Sequence, residues 1–337
     1  MKSILYIGNK LNHKKSNLSS IGILGPLLEN EGYTVYYASS KINKILRLLD
    51  MIFSCLKYCR KVDFVIIDTY STLNFYYALC ITQLCRLINV KYIPSLNGGD
   101  LPKRLQKNPK LSQLIFNHSY INISPSLYLK KAFEDAGYSN LRYIPNTINI
   151  ENYQFKERDF KNIDLLWVRS FSNIYNPTLA VQVLKALQED GLQVRLCMVG
   201  PDSDGSMMDV KKLAQELNVE VKLTGKLTKE AWRGLSNEYS IFINTTNFDN
   251  MPVSVIEAMA LGLCVVTTNV GGLPFLISHG VDGLLVKPNS VNAFVNAIKK
   301  VSNFPVASKT MAFNARQKVE EFDWSFIKYK WFEVLQE

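Results

Sequence analysis

Short apolar runs that stop at a glycine or a carboxylate alternate with helical-period segments, and the alternation occurs twice along the chain. In the first half Ser3–Ile7 ends at Gly8, Phe64–Ile67 ends at Asp68, and Lys91–Pro94 opens into Asn97-Gly98-Gly99-Asp100. Thr34–Ala38 and Tyr120–Ile123 read as further strands. Helical periodicity spans Gly22–Asn30, Asn74–Ile88 and Ser126–Ala136, the last stopped by Gly137. After residue 160 the pattern restarts. Strands are expected at Ile163–Val168, Gln193–Val199, Val221–Leu223, Ile241–Asn244 and Cys264–Thr267. Helices are expected at Pro177–Glu189, Val210–Leu217 and Val253–Leu261. Strands too apolar to leave one face in water, alternating with helices, require a parallel sheet covered on both sides. The expected fold class is therefore α/β, with two doubly wound domains, 1–160 and 161–318, and a polar linker over 143–161. Ligands of such sheets bind outside the carboxyl ends of the strands, so two facing sheets would suit two substrates.

Charge separates the two halves. Residues 1–160 carry 21 Lys and Arg against 11 Asp and Glu, whereas residues 161–337 carry 18 of each, so the net +10 lies in the first half. Such a surface suits an anionic partner. No zinc-finger spacing or RNA-binding signature accompanies it, so nucleic acid is not expected. One stretch stands out. Ile42, Ile45, Leu46, Leu49, Ile52, Phe53 and Leu56 recur at helical spacing among Lys41, Lys44, Arg47, Lys57, Arg60 and Lys61. Lys41–Lys61 reads either as a basic amphipathic helix for an anionic membrane surface or as a domain helix with a solvated basic face. Cys55, Cys59, Cys80, Cys85, Cys197 and Cys264 form no Cys-x-x-Cys pair and read as buried reduced thiols. No secretory signal is expected at Met1–Gly8, and no segment reaches the roughly 18 apolar residues of a membrane span. The expected location is cytoplasmic, peripheral on the inner face of the cell membrane if the amphipathic helix binds there.

The segment from Ile241 to Gly272, IFINTTNFDNMPVSVIEAMALGLCVVTTNVGG, carries the chemistry. A buried strand enters a polar loop containing Thr246, Asn247, Asp249 and Asn250, and Pro252 opens the next helix. The free N–H groups and positive dipole end of that helix suit a phosphate. Glu257 lies about one turn inside, where a carboxylate can accept two ribose hydroxyls. Gly271-Gly272 lets the backbone approach a ligand closely.

This segment resembles the donor site of the family 4 glycosyltransferases, which have the two-domain GT-B fold. The family's motif is a carboxylate, seven residues and a glutamate followed by Ala-Met-Ala-x-Gly. Asp249, Glu257 and Ala258-Met259-Ala260-Leu261-Gly262 match it. The resemblance implies a retaining, metal-independent transferase that takes a sugar from a UDP- or GDP-sugar. The acceptor would be a saccharide or lipid-linked saccharide in bacterial surface polysaccharide assembly. It implies that Glu257 binds the ribose, that Asp249 faces the transferred sugar, and that Met251, Pro252, Val253 and Ser254 cradle sugar and diphosphate. Gly200 and Lys226 stand at strand ends that receive base and phosphates. Gly8 and Gly22 bracket the loop, Asn9 within it, that contacts acceptor and diphosphate, and Asn97 and Asp100 line the same side. His118 is a further candidate for the sugar. Residues 319–337 resemble the family's last helix, which returns to the N-terminal domain. The chain departs from the pattern where Gly-Arg and a lysine usually neutralise the diphosphate. Here either Arg169 or Ser170 stands at the arginine's place and Tyr175 at the lysine's, with Lys226 as a replacement charge. Phe275 stands where a glutamate is common. Asp202-Ser203-Asp204 has a metal-motif spacing but sits in a Gly/Ser/Asp loop, so no metal is expected. Two alternatives remain at this point: a sugar-nucleotide epimerase of the same fold, and an inactive saccharide- or membrane-binding partner.

Overall fold

The computed structural model describes residues 2–11 and 19–336. The chain divides into two compact units, 1–146 with 324–337, and 147–323. Residues 12–18 of the polar loop after the first strand, His13 among them, lie outside the described residues.

The first unit holds a parallel six-stranded sheet. Its strands are β1 (Ser3–Ile7), β2 (Thr34–Ala38), β3 (Phe64–Thr69), β4 (Lys91–Leu96), β5 (Asn122–Ser124) and β6 (Leu141–Tyr143), in the order β2-β1-β3-β4-β5-β6. Helices α1 (Ser20–Asn30), α2 (Lys44–Tyr58), α3 (Asn74–Leu87), α4 (Leu101–Lys107), α5 (Pro109–Phe116) and α6 (Leu127–Asp135) connect them. The strands are apolar on both faces because both are covered. Ile4, Tyr6, Phe64 and Ile66 pack with α1, while Leu5, Ile7, Val65 and Ile67 pack with Met51 and Cys55 of α2 and Ala78 and Ile81 of α3.

The second unit repeats the plan. Strands β7 (Ile163–Val168), β8 (Val194–Val199), β9 (Lys222–Gly225), β10 (Ile241–Asn244), β11 (Cys264–Thr268) and β12 (Leu284–Val286) lie in the order β12-β11-β10-β7-β8-β9, all parallel. The helices are α7 (Pro177–Glu189), α8 (Ser206–Glu216), α9 (Lys229–Ser236), α10 (Val253–Ala260), α11 (Leu273–Leu276), α12 (Val291–Asn303) and α13 (Pro305–Glu320). The last helix, α14 (Trp324–Gln336), belongs to the first unit, where Ile327, Trp331, Val334 and Leu335 join the cluster of Ile4, Tyr6 and Phe64. Trp324 Nε1 donates to Glu31 at 3.0 Å and Lys328 Nζ reaches the same carboxylate at 3.2 Å, fixing its register.

Two expectations shift. The polar stretch 147–161 is part of the second unit rather than a free linker. Arg158 is buried and donates to the carbonyls of Ser236, Tyr239 and Leu261, at and beyond the C-terminal ends of α9 and α10, where a cation meets helix-end oxygens and the negative dipole end. Of the six cysteines, Cys80 is exposed and Cys59 half-buried; the other four are buried.

Candidate functional site

In the second sheet the chain runs outward from β7 through β8 to β9, then crosses back to place β10 on the other side of β7. The reversal opens a crevice at the carboxyl ends of β7 and β10, the position where open parallel sheets hold ligands. Arg169 leaves β7 at this point and Asp249 lies in the loop after β10. Their side chains, 14% and 13% exposed, form a close ion pair. The guanidinium also sits 3.9 Å from the ring centroid of Tyr175, and its Nε is buried without a partner. Burial raises the Asp249 carboxyl above its ordinary pKa, while Arg169 and the Asn250 N–H, at 2.8 Å, pull it back.

The loop that presents Asp249 is held on every side. Trp167 Nε1 donates to Thr245 Oγ1 at 3.0 Å, and Asn247 N donates to the Ile174 carbonyl at 2.8 Å. Thr246 Oγ1 donates to the Phe248 carbonyl at 2.8 Å, and Thr268 Oγ1 to that of Thr246 at 2.7 Å. The loop is also the reason for Gly271-Gly272. A Cβ on Gly271 would lie 2.0 Å from the Asp249 oxygen, and one on Gly272 would lie 1.6 Å from the Asn250 oxygen. The two glycines thus brace the acidic loop. Gly200 plays the same part beside Arg169, whose carbonyl would be 1.7 Å from an added Cβ, and its N–H donates to Gly225 O at 2.9 Å.

Helix α10 follows directly. Pro252 precedes it, and Val253 and Ser254 open its first turn, with Ser254 Oγ buried and unpartnered. Glu257 is 3% exposed. Its Oε1 accepts from the Tyr153 hydroxyl at 2.6 Å and from Lys229 Nζ at the start of α9. Burial, reinforced by the Glu257 charge, holds the Tyr153 hydroxyl well above its ordinary pKa, so it remains a donor. Among the described residues no donor is assigned to Oε2 of Glu257. The arrangement is a buried carboxylate with a fixed orientation and spare accepting capacity, behind a helix N-terminus.

The first unit has a corresponding crevice where β1 and β3 adjoin. Asp68, near the end of β3, is 5% exposed and accepts from the Tyr6 hydroxyl at 3.1 Å, Asn97 Nδ2 at 2.8 Å and the Ile21 N–H of α1 at 3.3 Å. Burial pushes its carboxyl up to about 7, against the pull of those three donors. Gly8 is required here, since a Cβ would lie 2.6 Å from Asp68 Oδ2. Asn9 accepts from Arg47 at 3.1 Å through its side chain and from Ser19 Oγ at 2.7 Å through its carbonyl, and Gly22 lies in the first turn of α1. Asp100 precedes α4 and pairs with Lys103 at 2.8 Å.

Some expected residues stand elsewhere. His118 is exposed on the turn before β5, and the neighbouring Tyr120 N–H bonds to Tyr92 at the start of β4. It therefore lies at the amino edge of the sheet, opposite Asp68 and Asn97, because the turn enters β5 instead of leaving it. The cation brought to Glu257 is Lys229, at the start of α9, whereas Lys226, expected at the phosphates, follows the carboxyl end of β9 in the same sheet. Asp204 accepts from Ser172 Oγ, Asn173 N and Ser206 Oγ at 2.6–2.9 Å, and the Ser206 hydroxyl above all lowers its carboxyl to about 2. Asp202 accepts from Gly205 N at 2.9 Å. Both are engaged in the turn that starts α8.

Residues 149–318 match the family model described as glycosyl transferases group 1. The chain belongs to that family. Among curated relatives of this group 1 chain, the UDP-Gal:alpha-D-GlcNAc-diphosphoundecaprenol alpha-1,3-galactosyltransferase of Escherichia coli is 23% identical over 224 residues, 59% of this chain and 54% of the relative. The amylovoran biosynthesis glycosyltransferase AmsK of Erwinia amylovora is 23% identical over 262 residues, 73% of this chain and 64% of the relative. The match thus spans roughly half to two thirds of those relatives' length. HepE of Anabaena, solved in complex with UDP, superposes with a TM-score of 0.80 at 18% identity, covering 100% of both chains. The group 1 fold is therefore GT-B, two Rossmann-like domains.

Three residues of the two crevices, each crevice taken in its own unit, carried no strong sequence signal. Tyr153 sits in the polar stretch that reads as linker, 104 residues from the carboxylate it holds. Lys229 was within reach, because Thr228 caps α9 through Ala231 N and puts the next residue at the helix start. Asp68 ends an apolar run, a place equally suited to capping a turn.

Proposed function

We propose that this chain transfers a sugar from a UDP- or GDP-sugar to a saccharide or lipid-linked saccharide, with retention and without a metal ion. The observation that carries the reading is Glu257, a buried carboxylate oriented by Tyr153 and Lys229 with Oε2 available to ribose hydroxyls. The diphosphate would lie against the N-terminus of α10, meeting the N–H groups of Val253 and Ser254 and the Ser254 hydroxyl. Arg169, already at the crevice, would turn its charge toward the leaving diphosphate. Asp249 would face the transferred sugar. The bond from the anomeric carbon to the diphosphate oxygen breaks as the acceptor oxygen bonds to that carbon from the same face. The acceptor proton passes to the departing phosphate oxygen. Preorganised cations and N–H groups stabilise the charge that develops there. The UDP held by HepE makes uridine nucleotides the first to test, and the amylovoran and diphosphoundecaprenol relatives point to surface polysaccharide acceptors.

The test is to incubate the protein with UDP- and GDP-sugars, with and without lipid-linked saccharide acceptors, in EDTA. Acceptor-dependent release of UDP or GDP that persists in EDTA, with the product's anomeric configuration matching the donor, supports the whole reading. Release restored only by Mn²⁺ or Mg²⁺ removes metal independence. Formation of an epimeric donor without acceptor assigns the same site to an epimerase.

A further inference from the structure

Helix α2 turns its apolar stripe away from the protein. Asn43 caps it, accepting from Ile45 N at 2.9 Å and Leu46 N at 3.2 Å. The face that packs on the sheet consists of Arg47, Met51, Ser54 and Cys55. The opposite face carries Ile45, Leu46, Leu49, Phe53 and Leu56, with Ile42 just ahead of the helix, all between 52% and 72% exposed. A contiguous apolar stripe held in water marks an interaction surface. Around it Lys41, Lys44, Lys57, Arg60 and Lys61 are exposed, and Asp50 is the sole acidic residue between 41 and 61. Arg47 is not part of this basic rim. It is buried, and its guanidinium donates to the carbonyls of Lys41 at 2.8 Å and Ile42 at 3.0 Å and to Asn9 Oδ1 at 3.1 Å.

We infer that α2 docks this unit on an anionic lipid surface, lying in the interfacial plane with Leu49 and Phe53 among the acyl chains and the lysines at the headgroups. Charge decides the occupant. A symmetric contact with a second copy would bring two such basic rims together, whereas an anionic bilayer satisfies the rim and buries the stripe at once. The helix is 15 residues long with one apolar side, the form of a surface-lying segment and not of a span. Arg47 gives the docking a consequence. It ties the start of α2 to Asn9 in the loop after β1, so the lipid-bound helix holds a residue at the edge of the Asp68 crevice. The inference does not depend on the nucleotide-sugar reading, because flotation needs no donor.

The test is flotation of the full chain with phosphatidylcholine vesicles, alone or mixed with phosphatidylglycerol, at low and high salt. Binding is expected on the mixed vesicles only and is expected to be released by salt. Lys57→Gln/Arg60→Gln/Lys61→Gln should lower partitioning about a hundredfold, since each basic residue contributes roughly fivefold. Leu49→Gln/Phe53→Gln should abolish binding while leaving the melting temperature unchanged, as both side chains are exposed. Equal flotation on neutral vesicles, or variants that float like the parent, overturns the inference. A dimer in sedimentation that Leu49→Gln/Phe53→Gln dissociates also overturns it, assigning the face to a second copy.

Discussion

Each unit places a buried carboxylate at the crevice where its strand order reverses, and the two are neutralised in opposite ways. Asp249 faces a guanidinium, which pulls its carboxyl back down against the rise that burial causes. Asp68 faces a phenol, an amide and a backbone N–H, and burial carries its carboxyl up to about 7. A crevice that already holds a cation can exchange a carboxylate partner for a phosphate. A crevice held by neutral donors locks loops together and takes up or releases a proton near neutrality.

The two carboxylates differ most at the Arg169 pair. Arg169→Ala leaves Asp249 buried and unpaired, which should cost about 3–5 kcal/mol. At roughly 2–4 °C per kcal/mol for a unit of this size, thermal unfolding should fall by on the order of 10 °C. Arg169→Ala/Asp249→Ala should recover most of that loss without recovering transfer. A single variant that melts like the parent would mean the pair is not coupled.

The first unit should respond to pH instead. A folded pKa raised to about 7 means that the unfolded chain releases its Asp68 proton first as pH rises. Stability from the neutral carboxyl is therefore full below about pH 4 and is lost as pH rises through about 7, by up to about 4 kcal/mol. Asp68→Asn should flatten that part of the urea-midpoint profile. An unchanged slope would show that Asp68 is ionised throughout.

Within the second unit Tyr153→Phe sharpens the account of Glu257. Losing one hydrogen bond to a charged group costs roughly 1.5–3 kcal/mol, and the part felt by the ligand should raise KM for donor about tenfold with kcat little changed. A fall in kcat at constant KM would place Tyr153 at the chemistry. Lys229→Gln should be milder, a severalfold loss of nucleotide affinity, because the lysine side chain is 53% exposed and solvent screens it.

The strands were readable because a parallel sheet covered on both sides needs uninterrupted apolar runs. Ser3–Ile7, Thr34–Ala38, Ile163–Val168 and Ile241–Asn244 fall where those runs lie. The acidic loop and α10 were readable because Asp249, Pro252 and Glu257 form one local pattern. Residues joined only by the fold were not. Tyr153 and Lys229 reach Glu257 from distant segments, and Arg158 turns a polar stretch into a packed one by capping two helix ends. Helices α4 and α5 are short, with Pro102 and Pro109 in their first turns, and too brief for a period to show. In α2 the periodicity revealed a stripe but not its direction, since an apolar face turned inward or outward gives the same pattern.

Calorimetry of UDP and GDP with the parent chain and Glu257→Ala decides whether Glu257 binds the ribose of a nucleotide-sugar. One of the two nucleotides is expected to bind the parent in EDTA, and the variant, still folded by thermal melting, to bind at least about tenfold more weakly, the value of a charge-assisted contact of roughly 1.5–3 kcal/mol. Equal affinity in parent and variant would contradict ribose binding by Glu257.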